Sequence, residues 1–238
     1  MKKISIITIC YNNREGLKRT IESVCSQTFK DKEFVVVDGG SSDGTLDVLK
    51  ENKDKIDIVF SEKDNGVYDA LNKGIKASSG EWIICMNSGD EFADKDVLTK
   101  VFEEKIDEKV SFIYSDYWMR SKEGSLVAYQ TDRKRGNVFH QSAIYKRSLH
   151  DEHGFYQVTK PYTISDLLFM LSVPENEFHK VSFKISTSDY AGLSDDLWCP
   201  RAALSLRVVY GYEKIGTAFL KYCKIVLRQK INKILKRK

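Results

Sequence analysis

Four short polar segments in the first ninety residues carry side chains suited to a charged, oxygen-rich ligand. The run Val37-Asp38-Gly39-Gly40-Ser41-Ser42-Asp43-Gly44-Thr45 is rich in glycine, yet it fits neither the GxGxxG dinucleotide fingerprint nor the GxxxxGK[ST] phosphate loop. Its glycines would let the backbone approach a flat group such as a nucleobase or ribose, with Asp38 accepting hydrogen bonds from it. The alternative is a plain turn in which Asp43 caps the next helix. In Asp64-Asn65-Gly66-Val67-Tyr68-Asp69-Ala70-Leu71-Asn72-Lys73-Gly74, a helix would set Asp69, Asn72 and Lys73 on one face at i, i+3 and i+4. That gathers a carboxylate, an amide and an ammonium, or else forms a simple Asp69–Lys73 surface pair. In Met86-Asn87-Ser88-Gly89-Asp90-Glu91, Asp90 follows a tight turn with Asn87 beside it. This suits a hard divalent cation that keeps several waters and bridges phosphate oxygens, for which one or two carboxylates suffice; a helix cap is the competing assignment. Tyr11-Asn12-Asn13 is the fourth polar segment.

Such residues act together only if the chain brings them to one place. Residues 4–9, 33–38, 56–60 and 81–86 read as buried strands, and between them run helical spacings: Leu17, Ile21, Val24 and Thr28; Leu46 and Leu49; Val67, Leu71 and Ile75. This β-α-β-α-β-α-β order predicts a parallel sheet with helices on its faces. Ligands of open α/β sheets gather at the carboxyl ends of the strands, where loops and helix N-termini offer unpaired backbone N–H groups. Each of the four polar segments directly follows a strand. From about residue 110 the pattern turns mixed, with strands at 111–115, 124–130 and about 181–185, and a short helix near 164–171. The turn Asp132-Arg133-Lys134-Arg135-Gly136 is either solvated or a loop that meets a diphosphate or an anionic lipid. No linker divides the parts, so residues 1–195 are expected to form one domain and 196–238 a helical appendage.

The 238 residues are 42% apolar, enough for one sizeable core. A net charge of +4 gives no nucleic-acid signature. Its distribution is uneven: residues 201–238 hold eleven Lys or Arg against one Glu, net +10, and positions 1–200 hold 27 basic against 33 acidic residues, net −6. The five cysteines are widely spaced without a CxxC pair, which fits reduced thiols in a cytosolic protein and excludes a zinc ribbon or thioredoxin-like motif. The apolar stretch after Lys2 and Lys3 reaches only Cys10, too short for a signal peptide. No run approaches the roughly 20 apolar residues of a membrane span.

Taken in order, Thr8-Ile-Cys-Tyr-Asn12, Ser26-Gln-Thr28, the Val37–Thr45 and Asp64–Gly74 runs, Gly80-Glu-Trp-Ile83, Asn87-Ser-Gly-Asp90 and His140-Gln141-Ser142 resemble glycosyltransferase family 2, in its polysaccharide-biosynthesis branch. The resemblance covers about residues 3–190. It implies an α/β GT-A (nucleotide-diphospho-sugar transferase) fold with a mostly parallel central sheet, binding a nucleotide-sugar donor with Mn²⁺ or Mg²⁺. By position, Tyr11, Asn12 and Asp38 would contact the nucleoside. Asp69 and Lys73 would lie near ribose and diphosphate, and Asp90 would be the metal ligand. His140 and Gln141 would shape the donor-sugar or acceptor pocket. Two departures stand out: Asn87 occupies a position that the family often gives to a first acid, and Gly39 replaces a second acid.

Inversion at an anomeric carbon needs a base for the acceptor hydroxyl. The resemblance places it at the start of the late helix, at Asp166, for which a helix cap or salt bridge is the competing assignment; Asp116 and Asp151 are lesser candidates. In the tail, Ile215, Phe219, Tyr222 and Val226 form an apolar stripe with Lys221, Lys224 and Arg228 opposite. A basic amphipathic helix often packs on its domain or on a partner, but the net charge of +10 here points to an anionic membrane surface. The expected reaction is inverting transfer from a nucleotide sugar, a UDP-sugar first, to a polyprenyl-diphosphate-linked glycan at the cytoplasmic face of the cell membrane. A polyprenyl-phosphate sugar synthase and a non-catalytic nucleotide-sugar or membrane-binding module are the alternatives.

Overall fold

The computed structural model describes residues 2–159, 163–189 and 198–235; the expected domain boundary at residue 195 lies outside the described residues. In chain order the elements are β1 (Ile4–Cys10), α1 (Arg14–Ser26), β2 (Lys32–Asp38), α2 (Thr45–Glu51), β3 (Ile58–Ser61), α3 (Val67–Ala77), β4 (Trp82–Cys85), β5 (Glu91–Phe92), α4 (Val97–Glu103), β6 (Phe112–Tyr114), β7 (Tyr117–Arg120), β8 (Leu126–Tyr129), β9 (Ala143–Lys146), α5 (Leu149–His153), α6 (Ser165–Ser172), β10 (Phe178–Lys180), β11 (Ser186–Asp189), α7 (Trp198–Val209) and α8 (Ile215–Leu235).

All of β1 is buried, and so is β2 beyond its first residue, so both faces of these strands need cover. Alternation along the strands divides the core into two layers. Ile4, Ile6, Phe34 and Val36 pack with Leu17, Ile21 and Val24 of α1, Val48 of α2 and Leu98 of α4. Ile7, Ile9, Val35 and Val37 pack with Leu71 and Ile75 of α3, Leu149 of α5 and Phe169 of α6. Helix α3 lies very close to the sheet: a Cβ on Gly74 would stand 2.5 Å from Ile7 Cγ2. The resulting sheet has the order β10-β6-β9-β4-β1-β2-β3. Strand β9 runs antiparallel to β4 and β6, and the other pairings are parallel. A second sheet follows the order β5-β11-β7-β8.

Two strand expectations change. Residues 56–60 read as a buried strand, but β3 is the sheet edge, with Val59 and Phe60 exposed. Residues 181–185 read as a strand, but they link β10 of the first sheet to β11 of the second. Val181 and Ile185 are buried because they close the first core layer as the chain crosses, not because they pair.

The basic turn is not solvated at Arg133, the first of its basic residues. Arg133 is buried, donates to the Val173 carbonyl (2.8 Å) and the Tyr212 hydroxyl, and lies over the rings of Phe178 and Tyr212. Arg207 of α7 donates to the Gly136 carbonyl at 3.1 Å. This turn therefore clasps the appendage to the body. The expected apolar stripe of the tail also divides: Tyr222 and Val226 are half-buried, whereas Ile215 and Phe219 stand out in solvent with Leu220, Leu227 and Ile231.

Candidate active site

The register of the strands sets the site. Cys10 pairs with Asp38, and Asp38 with Ser61, so β1, β2 and β3 end side by side. Beyond β4, the Met86 and Ser88 N–H groups continue onto the Ile7 and Ile9 carbonyls. Because β9 is antiparallel to β4, with Ile144 opposite Ile84, the 3-10 turn at His140–Ser142 just before β9 arrives at this same rim.

Loop one is the hub. Asn12, in a left-handed conformation (φ 48°) that Asn tolerates better than most residues, accepts from the Ser42 N–H at 2.8 Å. Its own N–H donates to Ser41 Oγ at 2.8 Å. Asn13 caps α1 by accepting from the Gly16 N–H, and its amide donates to the Ser88 carbonyl at 2.8 Å. Asp43 accepts from the Arg14 N–H and from the Thr45 N–H and hydroxyl, so it fastens two helix starts. Asn13 was not singled out by its sequence context; its place directly before the α1 spacing was the available cue.

Asp38 is fully buried, and its Oδ2 accepts from the Gly40 and Ser41 N–H groups and the Ser61 hydroxyl. It shapes the glycine loop from behind. Beside it Tyr11 is 66% exposed and Asp64 half-buried, and Gly39 is buried next to both. A Cβ on Gly39 would stand 2.5 Å from Asp64 Oδ2 and 3.4 Å from Tyr11 Cδ2. Asp64, held through Oδ1 by the Gly66 N–H, was missed because nothing local separates it from a turn aspartate.

Asp69 accepts from the Asn65 N–H at 2.8 Å and lies 3.6 Å from Lys73, which reaches Glu62 at 2.7 Å. That hydrogen bond to Glu62 raises the Lys73 pKa, with some loss from burial and help from Asp69. Asn72 does not join them. It turns inward and bonds both the N–H and the carbonyl of Tyr156, because the buried flank of α3 begins there.

Asp90 is buried and accepts from the Asn87 N–H at 3.0 Å. Burial pushes its pKa up to about 7, aided by the Asp189 and Glu91 charges and opposed by the Ser188 hydroxyl and the Asn87 N–H. The Asn87 side-chain oxygen is buried without a hydrogen-bond partner. An orphaned amide oxygen beside a carboxylate that is costly to ionise fits one hard cation, which would repay both costs. Among the described residues no group of three or more His, Cys, Asp or Glu is arranged to hold a metal, so most ligands would come from phosphate oxygens and water. Nearby, Asp189 bridges Arg19 (2.6 Å) and Arg120 (2.8 Å), and Arg120 also meets Glu91.

On the other flank of the rim, Asp166 in the first turn of α6 accepts from the Tyr68 hydroxyl at 2.7 Å. Burial first, then the Asp166 charge, lifts the Tyr68 pKa far above its usual value, so Tyr68 stays a donor. His140 is buried, which lowers its pKa, while the charge of Asp166 acts in the opposite direction; its Nε2 lies 3.0 Å from the Tyr156 hydroxyl. Gln141 beside it is half-buried. Asp116 is taken up by Lys180 (2.6 Å) and Thr131, and Asp151 stands exposed on α5.

The chain is similar to known proteins in sequence and in fold. A PGL/p-HBAD biosynthesis glycosyltransferase of Mycobacterium bovis is 33% identical over 161 residues, 65% of this chain and 63% of its own length. A putative teichuronic acid biosynthesis glycosyltransferase of Bacillus subtilis is 30% identical over 125 residues, 51% of this chain and 49% of its own. The chain thus spans less than two-thirds of these relatives. The GT-A fold recurs in Staphylococcus aureus TarS 1-349 in complex with UDP-GlcNAc, with a TM-score of 0.70 at 18% identity over 87% of this chain and 65% of that one. It recurs also in a Pyrobaculum calidifontis mannosyltransferase in complex with GDP-Man and Mn²⁺, with a TM-score of 0.68 at 14% identity over 90% and 65%. The sequence profile described as glycosyl transferase family 2 matches residues 5–167, a stretch that runs from β1 to the first turn of α6 and takes in each rim loop, and the chain belongs to that family.

Proposed function

We propose that this chain is an inverting glycosyltransferase that moves a sugar from a nucleoside-diphosphate donor, a UDP-sugar first, onto a hydroxyl of a lipid-linked glycan. The observation that carries this reading is two carboxylates among the loops of the rim. Asp90 is buried beside the orphaned Asn87 oxygen, a corner that would suit a cation, and Asp166 is held by Tyr68, where it would serve as the base.

Tyr11 and Asp64 would receive the nucleoside, with Asn12 and Asp38 keeping the loop in shape and the small Gly39 letting Asp64 and Tyr11 close up over it. Asp69 stands in the first turn of α3 and Lys73 one turn further on, and both would lie near the ribose and diphosphate. Asp90 and Asn87 would hold Mn²⁺ or Mg²⁺ against the diphosphate, where the cation supplies charge neutralisation for the leaving group. Asp166 would take the proton of the acceptor hydroxyl, and the Tyr68 hydrogen bond aims its carboxylate. His140 and Gln141 would line the sugar side.

The tail supports work at a membrane surface. Helix α8 keeps Ile215, Phe219, Leu220, Leu227 and Ile231 exposed, with Lys221, Lys224 and Arg228 on the adjoining strip. Each basic group near anionic lipid contributes about 1 kcal/mol. No helix among the described residues is long and apolar enough to cross a membrane, so the contact would be peripheral.

A donor panel of UDP- and GDP-sugars, read by released nucleoside diphosphate with and without Mn²⁺, tests the proposal. Metal-dependent release lost in Asp90→Ala is expected; tight binding without turnover across the panel would sink it.

A further inference from the structure

Behind His140 runs a chain of buried polar groups that the transfer reaction does not call on directly. His140 Nε2 is 3.0 Å from the Tyr156 hydroxyl, which is 2.6 Å from the Tyr145 hydroxyl. That hydroxyl is 3.2 Å from His150 Nε2, and His150 Nδ1 is 3.1 Å from the Gly154 carbonyl. All four side chains are buried. Tyr156 is fastened through its backbone by Asn72, and His150 is stacked between Phe155 and Phe169.

The far end fixes the direction of every bond. A carbonyl only accepts, so His150 Nδ1 carries a proton toward Gly154. Burial lowers the His150 pKa to about 4, and a neutral imidazole has one N–H, so its Nε2 accepts. Tyr145 must then donate to His150 and accept from Tyr156. Tyr156, its proton given to Tyr145, must accept from His140 Nε2–H. Cys85, whose thiol is pushed up to about 12 by burial, lies against Tyr145; its sulfur is a weak donor and a weak acceptor, and the imidazole nitrogen is the stronger acceptor for the Tyr145 proton, which leaves the order unchanged.

We infer that Tyr156, Tyr145 and His150 are positioning residues that lock His140 as its Nε2–H tautomer, so that Nδ1 meets the bound substrate as a lone pair. An acceptor nitrogen takes a hydroxyl and repels an anionic oxygen. The ligand group at His140 is therefore a sugar O–H and not the diphosphate, which puts His140 on the uncharged side of the cleft. This deepens the transfer reading and rests on it for the identity of the ligand, but the tautomer is measurable without turnover.

The test is long-range ¹H–¹⁵N spectroscopy of the ¹⁵N-histidine protein at pH 7, with the other two imidazoles removed as His153→Gln and His179→Gln. Two neutral rings of opposite tautomer are expected, one Nε2–H and one Nδ1–H. Two rings of the same tautomer, or a doubly protonated ring, overturn the inference whatever the assay shows. Tyr145→Phe breaks the relay with nearly unchanged volume; it is expected to turn the single Nε2–H pattern into a mixture and to lower kcat/KM about tenfold. An unmixed Nε2–H pattern in that variant also overturns it. If the variant does not fold, the wild-type spectrum alone decides. Loss of turnover on every donor with opposite tautomers retained would instead count against the transfer reading.

Discussion

Tyr68 and Asp166 lie 98 positions apart and share a 2.7 Å hydrogen bond, while the same Tyr68 oxygen accepts from the Ser165 N–H at 2.9 Å. One phenol on α3 thereby fixes both the start of α6 and the direction of its carboxylate. Asp166 does not cap its own helix, whose cap position is Ile164. Asp166→Asn is expected to lower transfer by about 10² to 10⁴-fold, the usual scale for a lost general base, with UDP affinity by calorimetry unchanged. Tyr68→Phe should cost about tenfold in kcat, the scale of one bond to a charged group. Full activity in Asp166→Asn would move the base elsewhere, or indicate a phosphate acceptor.

Asp90 gives a pH signature. Its pKa, raised to about 7 by burial, means that the folded chain binds this proton more tightly than the unfolded chain. Without a cation, its contribution to stability therefore falls as pH rises from about 4 through 7, by a ceiling of about 4 kcal/mol. Asp90→Asn should match the wild type in Tm near pH 4 and exceed it at pH 8. Mn²⁺ with UDP should raise the wild-type Tm more at pH 8 than at pH 5 and leave the Asn variant nearly unmoved. Equal gains for both proteins at both pH values would remove the cation from Asp90.

Arg133 is the clasp of the tail. Arg133→Ala leaves the Val173 carbonyl and the Tyr212 hydroxyl without their donor and removes packing against Phe178. A loss of about 3 kcal/mol or more in urea unfolding is expected. Trypsin should also cut between α7 and α8 much faster than in the wild type. A variant as stable and as resistant as the parent would show that α7 is held elsewhere.

The exposed face of α8 is expected to carry vesicle binding. Phe219→Asp with Leu227→Asp, both outward-facing, should reduce co-sedimentation with anionic vesicles at least tenfold. Donor turnover on a soluble acceptor should not change. Binding should weaken as salt rises, because the basic strip is screened. Salt-independent binding to neutral vesicles would point to a different contact.

The sequence by itself determined the sheet and the rim. Strands β1, β2 and β4 are nearly continuous apolar runs, and each is followed at once by polar residues, so period and punctuation along the chain sufficed to set Asn12, Asp38, Asn87 and Asp90 at the strand ends. The amphipathic tail was legible for the same reason, since a helical stripe is a local property. Only the tertiary structure decided which groups stand open at the rim and which face each other. Asp38 turns into its loop while Asp64 faces Gly39, and Asn72 leaves Asp69 for Tyr156. Arg133 is buried beneath the tail, and residues 181–185 cross between sheets. The tyrosine and histidine chain behind His140 joins β9, α5 and the segment after it, none of which carries a periodic signal for the others. The physical reason is range: helix and strand propensity act over a few residues, whereas a buried polar group takes whichever partner the packed core brings within about 3 Å, and that partner is set by the whole fold.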